Sequence, residues 1–169
     1  METMSEANTM YLEDLDAETV ADSLLADPIV TANPDLEGVL RPIVESAAGR
    51  GIENLKVVVV DRDPQGMTDL RNFANEVVAE DGGTVIVRAP FSVAASSDQI
   101  PRAALELAGH EMMDESRDYP EGFEAFVDAA GSYTVPWVDY SLIAGGAIVV
   151  VFAALMAFWW IRSHGKNAR

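Results

Sequence analysis

Two apolar rhythms alternate along the chain, one at helical spacing and one nearly unbroken, and their order predicts the architecture. Leu36, Val39, Leu40, Ile43 and Val44 recur at i, i+3, i+4, i+7 and i+8 behind Asn33-Pro34-Asp35. That triplet supplies an N-cap, a proline at the first helical position and an acid at the positive end of the helix dipole. Pro42 falls inside this helix and is expected to bend it, because proline lacks the N–H that would bond one turn back; Gly49 and Gly51 mark its end. Leu55 to Val60 is largely β-branched and apolar on both parities, the pattern of a strand covered on both faces. Met67 to Glu80 predicts an amphipathic helix, with Thr68 as candidate cap, an apolar face of Leu70, Phe73, Ala74, Val77 and Val78, and Gly82-Gly83 beyond it. Thr84 to Arg88 is the next strand. Helix, strand, helix, strand is the rhythm of a parallel sheet with right-handed crossovers.

The flanking segments are weaker in pattern. Residues 1–14 are polar and acidic and are expected to form a loose tail, followed by a short helix over Asp16 to Leu25 that ends near Asp27-Pro28. Beyond the turn at Ala89-Pro90, Phe91 to Ala95 suits a short third strand. Ser97 or Asp98 then starts a helix carrying Ala104, Leu105, Ala108 and Met112 on one face, and a last helix from Pro120 to Ala130 buries Phe123, Phe126 and Val127. The fold class is α/β, a small mostly parallel sheet flanked by helices, plus one C-terminal transmembrane helix. The divisions are 1–26, an acidic tail and short helix; 27–131, the α/β domain; 132–140, a juxtamembrane linker; 141–161, the span; and 162–169, a basic tail.

The span rests on Ser141 to Ile161, SLIAGGAIVVVFAALMAFWWI, 21 residues without a charge. As a helix it is about 31 Å long, enough for a hydrocarbon core of ~30 Å. Trp137 and Tyr140 before it, and Trp159 and Trp160 at its close, are aromatic anchors for the two interfaces.

Charge changes the picture most. Residues 1–140 hold all 28 acidic residues and eight of the eleven basic ones, a formal charge of −20, whereas the last eight residues carry +3 from Arg162, Lys166 and Arg169. So acidic a domain repels nucleic-acid phosphates, and no nucleic-acid partner is expected. The asymmetry across the span orients it by the positive-inside rule, as a single-pass protein of the plasma membrane with its N-terminal domain extracytoplasmic and its tail cytoplasmic. A cytosolic tail-anchored adaptor is the rival topology. The N-terminus lacks the basic and apolar regions of a cleavable signal peptide. With no cysteine, thiolate chemistry and disulfides are excluded.

Candidate chemistry centres on VVVVDRDPQG, where Asp61 and Asp63 follow the strand and reach the crevice in which open α/β sheets bind ligands. Three readings are open for them: a turn made by Pro64 and Gly66, a divalent-cation site, or the nucleophile and acid of a metal-dependent phosphatase. The last needs a lysine beside them, and Lys56 stands at the far end of the strand. His110 and Asp114 are four apart and are expected to share a helix face, where they would bind a metal weakly or titrate near neutrality. Asp114, Glu115, Asp118 and Glu121 form an acidic cluster, a solvated face or a docking surface for a basic partner. There is no phosphate-binding loop, dinucleotide fingerprint or serine elbow. No catalytic residue and no resident cofactor are expected, a divalent cation being the one ligand left open.

The core LKVVVVDRDPQGMTDLRNFANEVVAEDGGTVIVRAP resembles a TPM domain. That core followed by SSDQIPRAALELAGHEM, a DYPEGFEAFVD helix and a C-terminal span is similar to small single-pass membrane proteins of Corynebacteriales, associated with NlpC/P60 peptidoglycan hydrolases. The resemblance implies an extracytoplasmic interaction domain tethered to the plasma membrane. Its partner would be an envelope protein, a cell-wall hydrolase acting in daughter-cell separation. It also implies, for some members, cation binding or weak phosphatase activity, neither of which carries over to a particular residue here.

Overall fold

A computed structural model describes residues 9–66, 68–114, 118–134 and 145–156. The chain divides into two compact units, residues 1–133 and 134–169. In the first, the described elements run α1 (Ala17–Ala26), β1 (Ile29–Thr31), α2 (Pro34–Ala47), β2 (Leu55–Val59), α3 (Asp69–Asp81), β3 (Thr84–Arg88), β4 (Val93–Ser97), α4 (Arg102–Met112) and α5 (Tyr119–Gly131). The strands pair in the order β1-β2-β3-β4, parallel between β1, β2 and β3 and antiparallel between β3 and β4. This is the mixed α/β, mostly parallel sheet that the apolar runs predict.

All residues of β2 and β3 are buried, because helices cover both faces. The pleat sends Val57, Val59 and Ile86 to one side, where they pack with Leu40, Ile43 and Val44 of α2, Leu105 and Met112 of α4, and Phe123 and Phe126 of α5. Val58, Val60, Val85 and Val87 face the other side and meet Val20 and Leu24 of α1 and Leu70, Phe73 and Val77 of α3. The crossover helices α2 and α3 therefore lie on opposite faces while the strand order advances in one direction. Two such crossovers have opposite hands, so the right-handed expectation holds for one of them only. The face opposite α2 is shared by α1 and α3, and α2 joins α4 and α5 on its own.

Local chemistry sets the helix starts. Asn33 Oδ1 accepts from the N–H groups of Asp35 and Leu36, Asp16 Oδ2 from Thr19, and Asp118 Oδ1 from Glu121. Thr68 makes no such bond; instead Asp69, inside the first turn, reaches back to the Gly66 N–H at 3.0 Å. The expected cap is absent, and the Asp69 bond fastens the preceding turn to the start of the helix. Helix α2 continues through Pro42 to Ala47. Helix α4 starts at Arg102 rather than near Ser97, because Ser97 belongs to β4 and its Oγ accepts from the N–H groups of Gln99 and Ile100 in a turn. The tail expected to be loose is docked from Met10 onward: Leu12 is buried against the α1–α3 face, in a single 3-10 turn.

Lys56 is the one lysine of this unit and is 2% exposed. Its Nζ is bonded to the Asp81 carboxylate and to the carbonyls of Asp81 at 3.3 Å and Gly82 at 3.1 Å, at the negative end of α3. At another corner α5 lies so close to the turn after α2 that a Cβ on Gly131 would overlap the Arg50 carbonyl oxygen. Arg50 clamps the same contact through Glu124 and Asp128. Gly131→Ala is expected to cost about 1–3 kcal/mol of stability, since backbone cannot yield as a side chain does. Urea denaturation in detergent checks this, and an unchanged midpoint would refute the close approach.

In the second unit residues 145–156 are helical, and Ile148, Val149, Val150, Val151, Phe152, Leu155 and Met156 are all more than half exposed. The rest of the expected span, and its anchors Trp137, Tyr140, Trp159 and Trp160, lie outside the described residues. Among the described residues no helix is long and apolar enough to cross a membrane.

Candidate functional site

The C-terminal edge of the sheet collects the residues singled out by the sequence, and its hydrogen bonds say what they do. Asp61 follows the end of β2 and exchanges two bonds with Met10: its N–H donates to the Met10 carbonyl at 2.8 Å, and its Oδ2 accepts from the Met10 N–H at 2.6 Å. Next to it Arg62 stacks over the Tyr11 ring at 4.5 Å and pairs with Glu13 at 3.1 Å. The N-terminal segment thus lies over the strand end. Asp63 fastens a different loop, accepting from the Phe91 N–H at 3.0 Å and from the Ser92 hydroxyl at the β3–β4 turn. Asp61 thus fastens the N-terminal segment and Asp63 the β3–β4 turn. Among the described residues no three His, Cys, Asp or Glu side chains gather in a group able to hold a metal ion.

Arg88 and Tyr119, which carried no signal in the sequence, complete this edge. Arg88 ends β3, is 8% exposed and donates to the carbonyls of Ala89 at 2.6 Å and Ser92 at 3.3 Å. Its guanidinium lies over the Tyr119 ring at 4.8 Å. Burial pulls the Arg88 guanidinium below its usual range, against the neighbouring Tyr119 and Asp63. Burial likewise pushes the Tyr119 phenol up, with Arg88 opposing. Both shifts follow from desolvation first, so the edge is a packed joint between β3, the turn and α5. Asp63→Ala is expected to destabilise by about 1–3 kcal/mol, because the Phe91 N–H and Ser92 hydroxyl lose their acceptor. Faster amide exchange at Phe91 would accompany the loss, and unaltered exchange there would count against it.

The other candidates separate. His110 is exposed on α4, but α4 ends at Met112, so Asp114 lies beyond the helix and the two do not share a face. Asp118 caps α5 and Glu121 sits at its third position, which employs half of the acidic cluster in starting a helix. Glu115 lies outside the described residues.

The open feature is a groove of about 480 Å³ on the outer side of β4. Its floor is Val93 to Ser97; one wall is Arg71 and Asn75 of α3, the other Leu105, Gly109 and His110 of α4. Glu106 Oε1 accepts from Arg102 Nε at 2.8 Å and Arg71 Nη2 at 3.5 Å, tying the two walls. Among the described residues, His110 is the one sequence candidate that lines this groove.

The family model of the membrane protein Rv1476 matches residues 10–169. The membrane protein Rv1476 of Mycobacterium tuberculosis (strain ATCC 25618 / H37Rv) is 32% identical over 140 residues, covering 82% of this chain and 72% of the relative. No solved structure gives a significant match.

Proposed function

Because the chain belongs to the Rv1476 membrane protein family, we propose that it is a membrane-anchored, non-enzymatic regulator whose α/β unit binds an envelope partner. The observation that carries this reading is the contrast between the two candidate regions. Asp61 and Asp63 are fastened to the chain's own backbone, whereas the groove beside β4 stands open.

The anchor is the apolar segment 141–161. Its described part, 145–156, is helical with apolar side chains exposed all round, which water does not favour and lipid does. The positive-inside rule sets the basic tail in the cytoplasm and the α/β unit outside. The resemblance of the whole plan, core, following helices and C-terminal span, to small single-pass membrane proteins of Corynebacteriales adds the partner class, a peptidoglycan hydrolase of NlpC/P60 type acting in cell separation.

Two measurements test the reading. Protease added to spheroplasts is expected to degrade the α/β unit, and a protected unit would overturn the orientation. Cross-linking of the tagged full chain in envelopes is expected to retrieve an NlpC/P60 hydrolase; capture without any cell-wall enzyme would refute the regulatory role.

A further inference from the structure

We propose that β4 is a docking edge for an extended segment of a partner protein in which apolar residues alternate with acidic ones, an inference that deepens the regulator reading and rests on it. Among the described residues the strand order leaves β4 with a neighbour on one side only. The antiparallel register pairs Thr84 with Ser97 and Arg88 with Val93. Just beyond the two ends of that ladder, the Ala89 N–H donates to the Ser92 carbonyl and the Asp98 N–H to the Gly83 carbonyl, so residues 92 and 98 belong to hydrogen-bonded pairs. Bonded pairs alternate with open ones in an antiparallel ladder. Ala94 and Ser96 therefore bond to β3, and the N–H and C=O groups of Val93, Ala95 and Ser97 point away from it into the groove.

Edge strands are usually guarded by charges, proline or a bulge. Val93-Ala94-Ala95-Ser96-Ser97 has only small side chains apart from Val93, and no charge or proline. The walls rise on either side of this edge and leave space along it, the setting in which an added strand gains main-chain bonds from the edge and specificity from alternate side-chain positions.

The walls differ in chemistry, and that difference defines the occupant. Val93 and Ala95 belong to the face covered by α4, where Ile100, Leu105 and Gly109 make an apolar wall beside the exposed Arg102, Glu106 and His110. Ala94 belongs to the opposite face, where the wall is Arg71 and Asn75. A fifth strand follows the same pleat, so its residues point alternately to the apolar wall and to the polar one. Arg71 and Arg102 share a single oxygen of Glu106, which leaves the groove with one positive charge in excess within a domain of strongly negative charge. The bridge is exposed and weak, so a partner carboxylate can replace Glu106 on Arg71. A second copy is the poorer occupant: β4 pairing with itself would set Arg71 and Arg102 against their own counterparts and bring two strongly acidic domains together.

The experiment uses the full chain in lipid nanodiscs and a capped, fluorescent peptide of about nine residues alternating valine and glutamate. Two controls are the same peptide N-methylated at alternate amides and a valine–lysine version. Binding by the first alone is expected. In residue-resolved amide exchange, Val93, Ala95 and Ser97 should exchange fast in the free protein and slow by about tenfold or more when the peptide is bound, while Ala94 and Ser96 stay protected throughout. Arg71→Glu should abolish the preference for glutamate over lysine. Equal binding by all three peptides, or unchanged exchange at the three amides, would overturn the proposal. Dimers with those amides already protected would overturn it in favour of a second copy. A hydrolase captured by the full chain but not displaced by excess peptide would sink strand docking and leave the regulator reading standing.

Discussion

Asp81→Ala is expected to destabilise the α/β unit by about 3–5 kcal/mol, whereas Lys56→Met costs far less, although both break the same ion pair. The asymmetry follows from burial. Lys56 is 2% exposed and has nowhere else to send its charge, while the Asp81 carboxylate is 23% exposed and reaches water. Removing the acid leaves an uncompensated ammonium between the sheet and α3, held by two carbonyls alone. Methionine in place of Lys56 keeps the packed stem and removes the charge that needed a partner. Urea unfolding of the full chain in detergent reads both variants, and a larger loss for Lys56→Met would refute this account.

Val150→Arg together with Phe152→Arg is expected to abolish membrane anchoring. Each arginine near the middle of a span costs about 2.5–3.5 kcal/mol on insertion scales, so two cost about 5–7 kcal/mol, a large part of what an apolar segment of this length gains. The full chain should resist extraction from membranes by alkaline carbonate, and the double variant should appear in the soluble fraction. Leucine at both positions should behave as the original does. A double-arginine chain that stays with the membrane would show that residues 141–161 are not the anchor.

The parts of the fold legible in the sequence are those with long, consistent signals. Leu36 to Val44 and Leu70 to Val78 mark their helices by spacing alone, and Leu55–Val59 and Thr84–Arg88 are apolar enough to read as covered strands. β1 escapes because Ile29–Thr31 is three residues between Asp27-Pro28 and Asn33-Pro34, too short for a period to show. β4 is shifted from its expected place because alanine and serine carry little strand preference, so its limits come from pairing with β3. The fate of Asp61 and Asp63 was out of reach for another reason: their partners, Met10 and Phe91, stand 51 and 28 residues away. The groove was not legible at all, since being an edge is a property of strand order. Its walls come from α3 and α4, which no local pattern brings together.

The clasp between Met10 and Asp61 also fixes how far the α/β unit can be trimmed. A protease that cut before Met10 would leave the two Met10–Asp61 bonds, the Arg62 stack on Tyr11 and the buried Leu12 in place. A cut at Asp14 or Leu15 would remove them together and take Leu12 and Met10 from the apolar cluster of the α1–α3 face. The smallest fragment that keeps its native stability therefore begins at or before Met10, well inside a stretch whose composition reads as dispensable.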